Sequence, residues 1–498
     1  MSRAAAVDHE VVIVGAGFGG MGAAIELKRQ GVDDILIVER EDDLGGTWHV
    51  NHYPGLAVDI PSTTYSYSFA PNPFWSRLFA PGPELKRYAV HIADTYDLKR
   101  HMRFNTAVRS ARYDEAARTW AVELGDGTTV RTRYLVTATG FLSQVKRPDI
   151  AGLDDFAGTV LHTAAWDDAH DLTGERVAVI GTGATAVQLI PAIAKQVAHL
   201  TVFQRTAIWV VPKLDRRIGE RTQRLFARVP VTQRVARLAT TSILELLMVT
   251  GVLHFRQGRR FNAAAAQLAR RHLHRQVKDP ELRRKLTPDY DLGCKRPTLS
   301  NRYYRSFTRP NVTLETTPID RFVPEGLVTE DGRTTPVDTV VLATGFDIWD
   351  ENFPPFPVIG REGRNLGEWW RATRFSAFEG IAVPYFPNLI SLASPYSYSG
   401  LSFFTTIEYQ MRHIGRVFRE LRRTGTEVFE VTEEAHDAFL ERVTDKLGDS
   451  VFILGQCATA RSYYFNPHGE PALLRPTSTL SAMREAERFP LDSYAFTA

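Results

Sequence analysis

A strand-like apolar run ending in a glycine-rich turn occurs twice in this chain, and nothing else in the sequence narrows the possible folds so far. The first copy reads VVIVGAGFGG, with Gly15, Gly17 and Gly20 spaced as G-x-G-x-x-G and the helix-compatible MGAAIELKRQ behind them. The second reads RVAVIGTGATAVQLIPAIAK, where Gly181 and Gly183 match and Ala186 takes the third place. In such a turn the first glycine permits the tight bend and the second lets a pyrophosphate reach the backbone. The third lets helix and strand pack closely. The helix N-terminus behind the turn presents N–H groups and a positive dipole end to phosphate. The glycine spacing alone is a weak signal, but strand, turn and helix in this order predict a dinucleotide-binding unit. Two of them predict an α/β chain with two Rossmann-like domains.

The strand after each helix ends differently. DILIVE closes on Glu39 and HLTVFQRT on Arg205, each 24 positions beyond the first glycine of its unit. An acid in that slot accepts hydrogen bonds from ribose hydroxyls, whereas an arginine pairs with a 2′-phosphate. The first unit therefore suits a dinucleotide with a free adenosine ribose, and the second suits NADPH. Two further apolar strands, YLVTATG and TVVLATGFD, both close on Ala-Thr-Gly. Small residues there let backbone cross close to backbone or cofactor, as expected of strands that carry the chain out of each unit.

Two dinucleotide sites in one chain point to hydride transfer from a nicotinamide to a flavin. Disulfide reductases share that plan but need a redox cysteine pair, and this chain has no C-x-x-C. Electrons then go to oxygen or another small acceptor. The only cysteines, Cys294 and Cys457, are far apart in sequence. That spacing suggests neither a disulfide framework nor a zinc ligand set, and it fits a reducing, cytoplasmic setting. The opening MSRAAAVDHE has no apolar core, so no signal peptide is expected. A net charge of +3 is too small to imply nucleic acid. The stretch LATTSILELLMVTGVLHF, Leu238 to Phe255, is apolar over nearly the length of a membrane span. It contains Glu245 and is flanked by arginines, and the expectation is a buried or half-buried helix rather than a membrane contact.

Three longer patterns bear on the reaction. FAGTVLHTAAWD carries Phe156, Gly158, His162, Trp166 and Asp167 as F-x-G-x-x-x-H-x-x-x-W-D. GGTWHVNHYPGLAVD carries Gly45, Gly46, Trp48, Tyr53, Pro54, Gly55 and Asp59. DLGCKRPTLSNRYY carries Lys295 and Arg296. Together, from Val11 to about Asp347, they resemble the type I flavin-dependent Baeyer–Villiger monooxygenases. The related N- and S-oxygenating flavin enzymes usually have Tyr or Phe at the Trp166 place.

The resemblance implies FAD and NADPH as cofactors, and insertion of one oxygen atom from O2 beside a ketone carbonyl to give an ester or lactone. It implies Arg296 as the active-site cation and Asp59 as the acid that positions it. Lys295 would help Arg205 hold the 2′-phosphate. Gly46, Thr47, Trp48, Asp59, Tyr65, Thr344 and Gly345 join the two glycine loops as cofactor contacts. Phe156, Gly158, His162, Trp166 and Asp167 would couple domain motion to turnover.

The expected layout is an FAD-binding domain from residues 1–150 that resumes at 350–498, an NADPH-binding domain from 151–212 and 290–349, and a helical insertion at 213–289. The expected partners are a small hydrophobic ketone and O2, with no obligate protein partner. Heteroatom oxygenation, an uncoupled NADPH oxidase and a non-catalytic NADPH-binding regulator are the competing readings. In the C-terminal part Ala393-Ser394-Pro395 replaces the usual Gly-Pro start, and Tyr463 and Tyr464 stand where many relatives carry a tryptophan loop. Substrate range is not readable from this sequence.

Overall fold

The computed structural model describes residues 7–398 and 402–498. The opening Met1–Ala6 and the Ser399–Leu401 link of the C-terminal segment lie outside the described residues. The first glycine loop follows β1 (His9–Val14) and leads into α1 (Phe18–Arg29) and β2 (Ile35–Val38). Val11, Val12 and Ile13 have no solvent exposure, as a strand covered on both faces requires. The sheet continues through β3 (Met102–Arg103), β4 (Val108–Asp114), β5 (Thr119–Leu124) and β6 (Thr129–Thr137). Its order is β4-β5-β6-β1-β2-β3, with Val358–Ile359 added outside β4.

β6 changes partners along its length. Thr129–Thr132 pair antiparallel with β5, and Leu135–Thr137 pair parallel with Leu389–Ser391. Both late strands thus return to the first sheet. The long helix Phe403–Thr424 then packs on α1, where a side chain at Gly22 would press on Ile407 and one at Gly415 on Glu26.

The second sheet is wholly parallel. It comprises β7 (Thr159–His162), β8 (Arg176–Ile180), β9 (His199–Phe203), β10 (Val312–Glu315) and β11 (Thr339–Leu342), in the order β10-β9-β8-β11-β7. Helix α2 (Ala184–Ile193) follows the second glycine loop, and Ala186 is fully buried on it. The two Ala-Thr-Gly strands sit in matching places. β6 runs beside β1 and β11 beside β8. A Cβ on Gly15 would lie 2.6 Å from Ala138 O, and one on Gly181 2.5 Å from Ala343 O. Both glycines have positive φ, +109° and +114°, so each loop needs glycine for its torsion and for its neighbour.

Helices fill residues 220–285, the longest being α3 (Pro230–Met248) and α4 (Phe255–Gln276), joined by a π-helical turn at Val249–Leu253. The stretch Leu238–Phe255 is half-buried: Gly251, Leu253 and Phe255 are buried, while its first half turns much apolar surface to water. Only 6% of the apolar window in Pro230–Leu253 is buried. Leu238, Ile243 and Leu246 are each 60% or more exposed. Apolar character along a helix does not say how much of it meets protein: Leu244 and Met248 pack against the core, and polar contacts hold the same side. Thr240 hydrogen-bonds Thr64 at 2.8 Å, Arg237 donates to Ser66 O at 2.8 Å, and Glu245 accepts from Thr479 N at 2.7 Å.

The cysteine expectation fails. Cys294 and Cys457 form a disulfide across 163 residues of sequence. Separation along the chain says nothing about separation in space, and the two flanking segments are laced together. Asp291 N donates to Gln456 O, Gln456 N to Asp291 Oδ2, and Thr459 Oγ1 to Asp289 Oδ1. A reducing compartment therefore no longer follows from the cysteine count.

Candidate active site

The two glycine loops open onto one cavity of about 1780 Å³. That exceeds the roughly 300–1,000 Å³ of an ordinary small-ligand pocket and is room for more than one large ligand. Every cofactor contact expected above lines it except Gly20 and Ala186. Gly20 faces the strand behind, where a Cβ would overlap Gly15 O and press on Ile13, and Ala186 is buried in the core of the second unit.

Glu39 is buried at the mouth of the first loop, and its carboxylate accepts from Ala16 N at 2.7 Å and Glu41 N at 3.1 Å. Gly140, Gly183 and Gly345 line the cavity, and a Cβ on any of them would meet nothing within 4 Å. Bare backbone facing open space at Gly183 in the second loop, and at the strand ends Gly140 and Gly345 beside the two loops, is surface that a pyrophosphate group can approach. The residues present therefore fit FAD in the first unit and NADPH in the second.

The second loop has a cationic mouth. Arg205, Lys295 and Arg461 all line the cavity, and none has an acid within ion-pair distance among the described residues. Burial and then Arg461 hold the Arg205 guanidinium below its usual range, and burial and then Arg205 do the same to the Lys295 ammonium. Three cations gathered without a counter-charge make a site for an anion. Arg461 escaped sequence reasoning because it lies in an irregular segment. Its one local mark is a left-handed φ of +46°, uncommon outside glycine.

Arg296 lies deeper in the cavity. Its Nε donates to Asp59 Oδ2 at 2.8 Å and its Nη2 to Asp59 Oδ1 at 3.1 Å, a bidentate fork. The third nitrogen, Nη1, donates to Tyr398 Oη at 2.8 Å. Burial opposes the Arg296 charge, but Asp59 and then the nearby phenols hold it well above the usual arginine range. Burial likewise raises the Asp59 carboxyl, and Arg296 overrides it, so the acid stays ionised.

Tyr398 was not foreseen. It is 6% exposed, it accepts from Arg296, and no described residue accepts its own proton. Phe141 lies 5.5 Å from the Tyr398 ring and Phe403 lies 5.8 Å from that of Phe141, so an aromatic wall stands beside the arginine. Tyr463 also lines the cavity, with the ring of buried Tyr464 4.8 Å away.

The stretch around Tyr53 docks the first unit on the second. Tyr53 Oη donates to Gln188 Oε1 on α2 at 3.0 Å, and Gln188 Nε2 donates to Ala57 O at 2.8 Å. A Cβ on Gly55 would lie 2.6 Å from Gln188 O, so the approach requires glycine.

Phe156, Gly158, His162, Trp166 and Asp167 do not line the cavity. Phe156 and Trp166 lie in two different apolar cores. A side chain on Gly158 would overlap Asp338 O and the Phe156 ring. Asp167 caps a turn through Ala169 N. His162 ends β7, accepts from Ala164 N at 3.0 Å and reaches Thr344 at 3.5 Å. Burial holds its imidazole below the usual range, hence neutral. It therefore bridges Ala164 and Thr344, both of which line the cavity, from behind.

Comparison with known proteins agrees with this geometry. The family model described as pyridine nucleotide-disulphide oxidoreductase matches residues 9–252. A Baeyer–Villiger monooxygenase of Streptomyces coelicolor is 37% identical, over 97% of this chain and 92% of its own length. A Baeyer–Villiger monooxygenase of Pseudomonas aeruginosa is 38% identical, over 99% of this chain and 92% of its own. A crystal structure of OTEMO in complex with FAD and NADP superposes with a TM-score of 0.86 at 28% identity, covering 99% of this chain and 100% of that one.

Proposed function

The chain belongs to the Baeyer–Villiger monooxygenases, and from that premise we propose how its residues divide the work. It is an FAD-dependent, NADPH-consuming enzyme that inserts one oxygen atom of O2 next to a ketone carbonyl. FAD reduced by NADPH supplies the electrons that activate oxygen. The chain's own part is to hold two dinucleotides, exclude water and steady negative charge on oxygen.

Arg296 is the group for the last task. Its charge persists at any working pH, and the fork to Asp59 fixes its plane, so little reorganisation is needed when charge develops nearby. Asp59 is a positioning residue and acts through Arg296. Tyr398 is a second donor: because it already accepts from Arg296, its O–H is left to point at the substrate oxygen. The wall of Tyr398, Phe141 and Phe403 supports an apolar ketone as substrate. Residues 1–150 with 350–498 form the FAD-binding part, and 151–212 with 290–349 the NADPH-binding part.

The bidentate Arg296–Asp59 pair in the cavity shared by both glycine loops is the observation that carries this reading. Arg296→Ala should still bleach when mixed with NADPH in the absence of oxygen, since hydride transfer has less need of this donor. In air it should consume NADPH and release hydrogen peroxide, with ester formation down about 10²- to 10³-fold. Lysine should rescue partially at most, because it lacks the planar fork, and Tyr398→Phe should show a milder uncoupling. Stopped-flow reduction and chromatographic product yield measure both, and near-normal ester yield from Arg296→Ala rejects the assignment.

A further inference from the structure

We propose that helix α3 seats this protein on an anionic lipid bilayer, lying in the plane of the interface. The observation is a helix with a second apolar face turned outward, since Leu244 and Met248 already meet the core. Val231, Val235, Leu238, Ile243 and Leu246 face water at 58–67% exposure, while Thr240, Arg237 and Glu245 hold the helix down through hydrogen bonds to the body of the protein. Those anchors argue against a spanning helix, which would have to leave them. A soluble surface helix normally turns the other way, with its apolar stripe inward. An outward apolar face of this size marks an interaction site.

The charge around the helix selects the partner. Residues 221–277 contain eleven arginines and a single acid, Glu245, in a chain whose total net charge is only +3. Glu245 is engaged by Thr479 N. All of these arginines but Arg237 are exposed. Of the exposed ones, only Arg224 and Arg256 reach an acid, Glu220 and Asp449, among the described residues. Arginines bracket the apolar face in sequence at both ends. A second copy docked on this face, parallel or antiparallel, would bring arginine against arginine. Anionic headgroups complement the same arrangement, with apolar side chains entering the acyl boundary and guanidinium groups staying at the phosphates. This inference does not depend on the role given to Arg296.

The test is co-sedimentation of the FAD-loaded enzyme with vesicles. Phosphatidylcholine vesicles containing phosphatidylglycerol should pull the protein down, and phosphatidylcholine alone or high salt should release much of it. The double variant Leu238→Ser/Leu246→Ser should lower binding at least about tenfold while its melting temperature, flavin absorbance and turnover in solution stay unchanged. Arg259→Gln/Arg260→Gln should weaken binding to the anionic vesicles only. The proposal is overturned if the enzyme does not sediment with anionic vesicles, or if the leucine variant binds them as well as the parent. A concentration-dependent dimer that the leucine variant abolishes, without vesicle binding, would give the face to a second copy and equally overturn it.

Discussion

At the scale of single residues, the positions readable in advance were those whose chemistry needs one residue type at one spacing. Gly15 and Gly181 answer to torsion and close approach, and Glu39 and Arg205 to equivalent strand ends. Tyr398 and Arg461 answer to neither rule. They meet Arg296 and Arg205 only because distant segments fold together, and such a meeting leaves no mark on spacing. The cationic mouth yields a prediction. Arg205→Ala should weaken NADPH by about 1.5 to 3 kcal/mol, roughly a 10- to 150-fold rise in its Michaelis constant, and leave NADH nearly unchanged. Arg461→Ala should follow in the same direction. Steady-state kinetics with both nucleotides decide this, and equal losses for the two would remove the 2′-phosphate from the site.

At the scale of elements, strands and helices of both dinucleotide units were legible from apolar runs and glycine turns, because a parallel strand covered on both faces must be apolar throughout. The orientation of α3 was not legible, since a hydrophobic stretch reads the same whether it faces protein or water. The stretch from Phe156 to Asp167 was recognised as a pattern, yet its side chains sit in cores and turns behind the cavity. We propose a mechanical part for it, since His162 ties the end of β7 to Thr344 beyond β11. His162→Ala should retain FAD and slow turnover with every ketone by a similar factor. A change confined to substrate preference, seen across a ketone panel, would move His162 into the substrate pocket instead.

At the scale of the molecule, the disulfide joins the segment before Lys295 and Arg296 to the segment before Arg461 and Tyr463, both of which line the one cavity. Cys294→Ser should cost about 2 to 5 kcal/mol of stability, in line with closing a long loop, and should loosen NADPH. Melting curves with and without reductant would show it, and free-thiol labelling of the native protein would detect an open pair.

Acid sensitivity has its own source. Burial, then Arg475 and Arg416, push His413 down to about 3. Its folded pKa lies below the unfolded 6.5, so its contribution is complete above pH 6.5 and is lost as pH falls from there toward 3. The slope approaches ~1.4 kcal/mol per pH unit for one such group. Replacing His413 by Gln should flatten unfolding free energy between pH 6.5 and 5, measured by urea titration, and an unchanged slope would place the sensitivity elsewhere.

The matching approach of Ala138 O to Gly15 and of Ala343 O to Gly181 has a consequence for mutational tolerance. One steric problem has been met twice with the same parts, so a saturation scan of one loop forecasts the other at its first glycine. The forecast breaks at the third place. Residue 186 already carries a methyl group, buried in the core, whereas a methyl on residue 20 would overlap Gly15 O. Selection should therefore accept drift in the second loop that it purges from the first, and variants with altered nicotinamide preference should be easier to evolve than variants that accept a different flavin.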